Sequence, residues 1–224
     1  MANPKTPGDL FFEKYCDLNG YFWTYEPALG SPGPLDYLID RAGDRAVVEV
    51  KHFTTTRQRQ KLMAAPGQAM YMESTVGKLQ SAIRLGGDQL SPCSGPNLPL
   101  VVLLTTPVPT DVDLDPDDVV AALLGKTTHV FDLERAGLEQ TVYSGEDAAV
   151  LHRDSAGGTF NRLPHLSAVV AMYGMPQFPR ADVYDLSGVH GFTGTPLPRT
   201  MFDADDDRRF GFLARDRFGR LPDV

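Results

Sequence analysis

The stretch PLDYLIDRAGDRAVVEVKHF, from Pro34 to Phe53, constrains the fold of this 224-residue chain more than any other. Residues 35–41 and 45–53 are rich in Val, Ile, Tyr and Phe, and the turn formers Ala42-Gly43-Asp44 stand between them. Two such runs joined by a short glycine-containing turn are typical of two antiparallel strands. The sequence therefore predicts a β-hairpin here.

The hairpin separates an apolar face from a charged one. Directly opposed residues of antiparallel strands share a face, and side chains alternate along each strand. If Gly43 and Asp44 form a two-residue loop, Asp36, Glu49 and Lys51 lie together at one end of one face, and a one-residue slip would part them. The opposite face is apolar and predicted to meet a core; it carries Tyr37, Ile39, Val48 and Val50. The expected pairs are Ala42–Arg45, Ile39–Val48, Leu38–Glu49 and Asp36–Lys51.

Two carboxylates and an ammonium on one face have a definite chemistry. Two hard oxygen donors can hold Mg²⁺ or Mn²⁺ and leave positions for water and a phosphate oxygen. Such a metal lowers the pKa of a bound water and neutralises charge that builds on phosphorus. A neighbouring lysine can orient that water and help to carry the negative charge.

Asp36 followed by Glu49-Val50-Lys51 after a short hairpin resembles the motif of the PD-(D/E)XK nuclease superfamily. The departure is Leu35, which separates Pro34 from Asp36. The resemblance covers about residues 8–133. It implies the restriction-endonuclease-like fold, a three-layer α/β/α sandwich around a mixed central sheet, and a nuclease that uses Mg²⁺ or Mn²⁺.

The resemblance also implies roles for individual residues. Asp36, Glu49 and Lys51 would be catalytic, and the metal would be held by Asp36, Glu49 and the Val50 carbonyl. A glutamate on the first helix often joins the metal shell in this superfamily, and Glu13 is the matching position. Glu26 is a candidate for a carboxylate that contacts the metal-binding residues without binding the metal itself. Some members carry a glutamine on a later helix that reaches the site, for which the candidates are Gln80 and Gln89.

The same residues have a less specific interpretation. Glu49 and Lys51 could form surface ion pairs, each worth about 0–1 kcal/mol, and Glu13 could be a solvent-facing helix residue. Three flanking features favour the nuclease: a helix with a glutamate before the hairpin, an acid-bearing strand between them, and a helix followed by a strand after it.

Charge is segregated along the chain. The net charge is −8, from 29 acidic and 21 basic residues, which argues against a general nucleic-acid-binding protein. A local basic patch nevertheless surrounds the hairpin and the loop after it. In that loop Arg57, Arg59 and Lys61 are predicted to contact phosphates, with a plain solvated loop as the alternative. The basic residues of the patch are Arg41, Arg45, Lys51, Arg57, Arg59 and Lys61.

The remaining elements complete an α/β pattern. Helices are predicted over 9–18, 67–90 (with a kink or break at Gly86-Gly87) and 116–125, where Asp115 caps the last one. Strands are predicted over 21–26, 98–106 and 128–133, and the continuous apolar run LPLVVLLTT indicates a strand buried on both faces. The order α-β-β-β-α-β-α-β predicts an α/β sandwich around a mixed sheet.

The chain is predicted to consist of a nuclease-like core, residues 1–133, and an extension packed on it, residues 134–224. The extension could complete a second small sheet, cap a nucleic-acid groove or make a homodimer contact. No apolar run approaches the ~20 residues of a membrane span, and Cys16 and Cys93 form no metal or disulfide motif. A cytoplasmic protein with no membrane partner is expected.

Three classes of function remain. The first is a metal-dependent nuclease that hydrolyses the phosphodiester bonds of nucleic acid, with DNA expected as the substrate ahead of RNA. The second is a nuclease-fold binding or scaffold protein that has lost turnover. The third is an unrelated α/β enzyme, against which the sequence contains no Walker loop, GxGxxG, GxSxG or HExxH. The complete set of Asp36, Glu49 and Lys51 favours the first.

Overall fold

The computed structural model of the chain describes residues 4–29, 34–54, 75–93, 97–107, 112, 114–124, 127–129, 150–152, 162–175, 177–189, 191–204, 207–214 and 217–220. The helices in these ranges are α1 (Pro7–Leu18), α2 (Thr75–Leu90) and α3 (Pro116–Leu124), and a 3₁₀ turn, Ser91–Cys93, follows α2. The strands are β1 (Phe22–Tyr25), β2 (Tyr37–Arg41), β3 (Asp44–His52), β4 (Leu100–Thr105), β5 (Thr127–His129), β6 (Val150–His152), β7 (Ala168–Met175), β8 (Phe178–Asp185), β9 (Arg208–Ala214) and β10 (Arg217–Arg220). The predicted order α-β-β-β-α-β-α-β is confirmed by α1, β1–β3, α2, β4, α3 and β5.

Helix starts follow the capping rules. Thr6 and Asp9 form a capping box at the start of α1, in which each side chain accepts a hydrogen bond from the other residue's backbone N–H. The Asp115 carboxylate accepts a hydrogen bond from the Asp117 N–H at 2.9 Å, which confirms Asp115 as the N-cap of α3. Two of the three helices in the described ranges therefore begin where local side-chain chemistry satisfies free backbone donors.

The hairpin of β2 and β3 forms in a register that differs from the predicted one by two residues. Arg41 pairs with Asp44, and Tyr37 pairs with Val48, so the two-residue turn is Ala42-Gly43 instead of Gly43-Asp44. Both turn residues have positive φ, 53° and 91°, as the turn favoured between twisted antiparallel strands requires. A shift of two preserves the alternation, so Tyr37, Ile39, Val48 and Val50 all face one core, as predicted.

The strands form one mixed sheet in the order β1-β2-β3-β4-β7-β8-β9-β10-β6-β5. Strands β3, β4 and β7 run parallel to one another, so their carboxyl ends meet at the same edge of the sheet. Every residue of β4 is buried, which confirms the prediction from its continuous apolar run. The sheet's parallel centre thus gathers residues from distant parts of the chain at one edge.

Helices pack on both faces of this sheet. One face, which includes Val47, Val102 and Val169, packs on α2 and α3 and is called here the α2 face. The other, which includes Val48, Val101 and Val170, packs on α1 and is called the α1 face. The alternation of side chains along each strand therefore decides which helix a residue meets.

The residues after 133 build much of this sheet. Strand β7 pairs with β4 on one side and with β8 on the other, and both cores include residues of β7. The sequence pattern predicted an extension of strands or loops packed on the core and did not indicate that β7 and β8 lie inside the main sheet. Among the described residues, no helix is long and apolar enough to cross a membrane.

Helix α2 continues without a break through Gly86 and Gly87, contrary to the predicted kink. A Cβ on Gly86 would lie 3.0 Å from Val102 and 3.2 Å from Lys51 Cε, and one on Gly87 would lie 2.5 Å from Leu163 Cδ1. The two glycines are required because the helix approaches the sheet closely. That approach brings α2 against the side chain of Lys51.

Two alanine substitutions in α2 are expected to have opposite effects. Gly77 is exposed and a Cβ there meets nothing within 4 Å, so Gly77→Ala should stabilise the protein by about 0.5–1 kcal/mol through helix propensity. Gly87→Ala gains the same propensity but must displace the buried Leu163, an overpacking cost of about 1–3 kcal/mol. Urea unfolding of both variants measures the difference, and equal stabilisation by both would contradict this packing.

Candidate active site

The candidate site lies at the carboxyl edge of the parallel strands, where the hairpin places Asp36 beside β3. Asp36 directly precedes β2, and its Oδ2 accepts a hydrogen bond of 2.8 Å from the Val50 N–H. Glu49 and Lys51 flank Val50 on β3 and, by alternation, point to the α2 face. The structure therefore brings Asp36, Glu49 and Lys51 together, although in a register other than the predicted one.

Glu49 is buried, with 2% of its surface exposed. Its Oε1 accepts a hydrogen bond of 2.7 Å from Lys51 Nζ, but its Oε2 has no hydrogen-bond partner in the described part of the chain. A buried carboxylate oxygen without a partner is costly and rare in folded proteins. This oxygen is available to a ligand that brings positive charge.

Asp36 carries a strongly perturbed carboxyl group. Burial and the negative charge of Glu49 raise its pKa from the ordinary value to about 7, although the Val50 N–H and Lys51 act in the opposite direction. Two neighbouring carboxylates in a partly buried site repel each other. A cation shared between them would remove this repulsion and favour the ionised form of both.

The two carboxylates match the needs of a magnesium ion. Mg²⁺ in phosphate-processing sites is commonly held by one or two carboxylates, with water and substrate phosphates completing its shell. In the described ranges no group of three or more His, Cys, Asp or Glu side chains is arranged to hold a metal ion. A metal here would thus depend on Asp36 and Glu49, and the role of the Val50 carbonyl remains a prediction.

Lys51 is held by residues from two elements. Its Nζ donates to Glu49 Oε1 and, in a short contact, to Oε1 of Gln89 near the end of α2. Of the two candidate glutamines, Gln89 is the one that reaches the lysine. Gln80 lies nine residues earlier, about 13 Å along the helix. The close approach of α2 at Gly86 makes this contact with Gln89 geometrically attainable.

Glu13 has partners of its own on the α1 face. Its Oε1 accepts a hydrogen bond of 2.8 Å from the Tyr37 hydroxyl and lies 2.5 Å from Lys5 Nζ. Lys5 in turn lies over the rings of Trp23 and Tyr25. These contacts connect Glu13 of α1 to the hairpin through Tyr37. The place of Glu13 in a metal shell remains a prediction.

Glu26 and Asp9 are two further acidic residues that are linked to Asp36. The Glu26 N–H donates to the Asp36 carbonyl at 2.9 Å, so the backbone of the β1–β2 connection is tied to the site. Asp9 is 5% exposed, and its negative charge contributes to the raised pKa of Asp36. The sequence reasoning missed Asp9, although the spacing of Thr6 and Asp9 before an apolar helix is a capping-box signal.

His52 follows Lys51 on β3 but points to the opposite face, where it packs against Gly8 of α1. Arg57, Arg59 and Lys61, predicted to contact phosphates, lie outside the described residues. That prediction therefore stays open.

The charge on Asp36 predicts a pH-dependent stability of the metal-free protein. In the folded state this carboxyl keeps its proton up to about pH 7, whereas an unfolded aspartate loses it near pH 3.9. Between these values the folded state binds more protons, so stability should fall as the pH rises. Asp36→Asn keeps an oxygen for the Val50 N–H and removes the charge. It should melt several degrees higher than the parent at pH 8, but not at pH 4.

Melting curves of both proteins in EDTA and with Mn²⁺ test this expectation. Mn²⁺ should raise the melting temperature of the parent at pH 8 and have much less effect on Asp36→Asn, because a ligand that binds only the folded state stabilises it. If the melting temperatures of the parent and of Asp36→Asn change with pH in the same way, the pKa of Asp36 is not raised in the folded state.

Comparison of the chain with protein-family models, with curated proteins and with solved structures finds no match. The choice of a function therefore depends on the residues of the site and on their geometry.

Proposed function

We propose that this protein is a metal-dependent nuclease of the PD-(D/E)XK type, which hydrolyses phosphodiester bonds of nucleic acid, with DNA rather than RNA as the proposed substrate. The observation that carries the proposal is one cluster. Glu49 lies close enough to Asp36 for its negative charge to raise the pKa of that carboxyl, one buried Glu49 oxygen lacks a partner among the described residues, and Lys51 donates to the same glutamate. An ordinary surface ion pair has no reason to bury a carboxylate in this way.

The fold is compatible with the proposed nuclease but does not by itself identify the activity. A mixed sheet with helices against both faces is compatible with the three-layer restriction-endonuclease-like sandwich. The proposed site lies at the carboxyl edge of parallel strands, where ligands of open α/β sheets commonly bind. The same architecture hosts many activities, so the site and not the fold decides the function.

In this proposal each residue has a separate task. Asp36 and Glu49 would hold Mg²⁺ or Mn²⁺, which supplies a more acidic water and neutralises charge on the phosphate. Lys51 would orient the attacking water and stabilise the negative charge that develops on the phosphate oxygens. Gln89 would position the Lys51 ammonium, since it contacts the lysine from α2. The Val50 N–H fixes the direction of the Asp36 carboxylate.

A cleavage assay tests the proposed function. Supercoiled plasmid, linear duplex, single-stranded DNA and RNA are incubated with the protein in Mg²⁺, in Mn²⁺ and in EDTA. We expect cleavage of at least one DNA substrate in either metal and none in EDTA, and loss of this activity in Glu49→Gln. A parent that binds DNA but cleaves none of these substrates would support a nuclease-fold binding protein instead.

A further inference from the structure

We infer that the end of the β7–β8 hairpin is a substrate-contacting arm, in which Met175 and Phe178 contact the bases of DNA bound at the proposed site. The inference rests on the proposed function and extends it to the region of the chain that the sequence resemblance does not cover. The end of the hairpin is called here the ribbon, residues 173–175 and 177–180.

The ribbon projects beyond the strands on either side of it. Strand β4 pairs with β7 only as far as Met172, and β9 pairs with β8 only from Asp182 onward. Tyr173 and Arg180 pair with each other, as do Met175 and Phe178. In the described part of the chain the ribbon is therefore a two-stranded extension without a neighbouring strand.

The base of the ribbon is fixed to the sheet by a polar network. Arg208 donates to Asp182 through Nε at 2.8 Å and through a second nitrogen at 2.5 Å. The Tyr173 hydroxyl lies 3.1 Å from an Arg208 nitrogen and donates to Asp182 at 3.2 Å. Asp182 is fully buried, so these charge-assisted bonds hold the arm in a defined direction.

The tip of the ribbon exposes two large apolar side chains. Met175 is 68% exposed and Phe178 is 73% exposed. Gly174 directly precedes Met175 with φ of 104°, and a Cβ at that position would lie 2.8 Å from the Phe178 carbonyl oxygen. Only glycine fits this conformation without strain, so the backbone is shaped to hold Met175 and Phe178 side by side at the tip.

The exposed face of the ribbon is the face of the sheet that carries Glu49 and Lys51. On β7, Val169 and Ala171 belong to the α2 face, and Tyr173 packs against the same core. On β8, Ala181 belongs to the α1 face, so by alternation Arg180 and Phe178 point to the α2 face, and Met175, which pairs with Phe178, shares it. The lysine and the apolar tip thus point to the same side of the sheet.

Sheet register gives the distance between the tip and the proposed site. Lys51 pairs with Leu104, and Leu104 pairs with Ala171. Met175 lies four residues beyond Ala171, about 13 Å along the strand, and two strand spacings, about 10 Å, to the side. The separation is about 16 Å, or roughly five nucleotide steps of 3.4 Å. DNA with its scissile phosphate at Lys51 would therefore reach the tip with bases a few steps away.

The chemistry of the tip favours DNA as the occupant. Phe and Met are among the side chains that DNA-binding proteins insert between base steps, and β-ribbons enter the grooves of DNA. The sequence from Tyr173 to Arg180, YGMPQFPR, contains no acidic residue, in a chain whose net charge is −8. This local absence of acidic residues suits a polyanion.

Affinity for a duplex that contains 2-aminopurine tests the arm. Ca²⁺, which takes the same kind of oxygen ligands, replaces Mg²⁺ so that binding is measured apart from turnover. Met175→Ala/Phe178→Ala should bind about 10-fold or more weakly, the scale of a lost base–aromatic contact, and should lose any 2-aminopurine fluorescence change seen with the parent. The slope of log K against log salt should stay unchanged, because no phosphate contact is removed.

Phe22→Ala is the matched control, because Phe22 is 79% exposed on the edge strand β1; its affinity should equal that of the parent. Phe178→Trp should retain binding. If the parent binds the duplex and the double variant binds equally well, the proposed contact between the arm and DNA is wrong, while the nuclease proposal stands. If the double variant instead turns a dimer into a monomer in sedimentation with affinity unchanged, the tip is a protein contact and the inference is overturned. A parent that binds no DNA overturns the arm, whereas the nuclease proposal is decided separately by the cleavage assay.

Discussion

Asp36→Ala and Glu49→Ala, made separately, are each expected to reduce metal-dependent cleavage by about 10³-fold or more. Each variant removes one of the two carboxylates that would hold the metal. The native fold should persist, because the two carboxylates repel each other in the metal-free protein and burial raises the pKa of Asp36. Removal of either charge relieves that repulsion. Titration with Mn²⁺ by calorimetry should show weaker binding in both variants.

Asp40→Ala is the control for these two variants. Asp40 lies on β2, the strand that Asp36 directly precedes. Its carboxylate accepts a hydrogen bond from the Gly43 N–H at the turn, away from Glu49. This variant should cleave at a rate near that of the parent. If Asp36→Ala or Glu49→Ala unfolds the protein while a folded isosteric variant, Asp36→Asn or Glu49→Gln, still binds the metal and cleaves, the carboxylates are structural.

The charged cluster was predictable from the sequence because side chains an even number of residues apart on a strand point to the same face. Asp36, Glu49 and Lys51 occur at spacings that place them on one face in any register that differs by an even number of residues. The register itself was not predictable from the turn formers alone. The turn uses Ala42 at φ 53°, a conformation that residue type does not favour, because pairing of both strands and the apolar face outweigh the local cost.

The position of α2 depends on contacts that no local pattern contains. Adjacent glycines in a helix usually indicate a weak point, yet here they allow the helix to approach Val102, Leu163 and the Lys51 side chain. The selection of Gln89 over Gln80 follows from that approach. Sequence reasoning could identify both glutamines as candidates, but only the packing decides which one reaches the lysine.

The central position of β7 in the sheet could not be predicted from local sequence patterns either. Its pairing with β4 joins residues 168–172 to residues 101–105, and such long-range pairing leaves no periodic signal in either segment. Helix caps and apolar runs report on the elements themselves. They do not report on neighbours in the sheet, which is why the arm formed by β7 and β8 becomes visible only in the structure.

Lys51→Ala should lower the cleavage rate by about 10²–10⁴-fold, the range typical of a lost catalytic or electrostatic group. An interaction accelerates the reaction only if it is stronger in the transition state than in the ground state. The Lys51 ammonium meets this requirement if it faces charge that develops on the phosphate. Single-turnover rates with saturating enzyme separate this effect from binding. Metal affinity should survive or increase, because a cation that now contacts Glu49 has been removed.

Two further variants distinguish catalysis from charge alone. Lys51→Arg should fail to restore the rate, because a guanidinium is planar and larger, and the space beside Lys51 Cε is limited by the approach of α2 at Gly86. Lys14→Ala, which removes an exposed lysine of α1, should cleave at the parental rate. If Lys51→Ala also cleaves at the parental rate, the Glu49-Val50-Lys51 match is a coincidence of strand composition. A binding or scaffold role would then explain the buried carboxylates better than catalysis does.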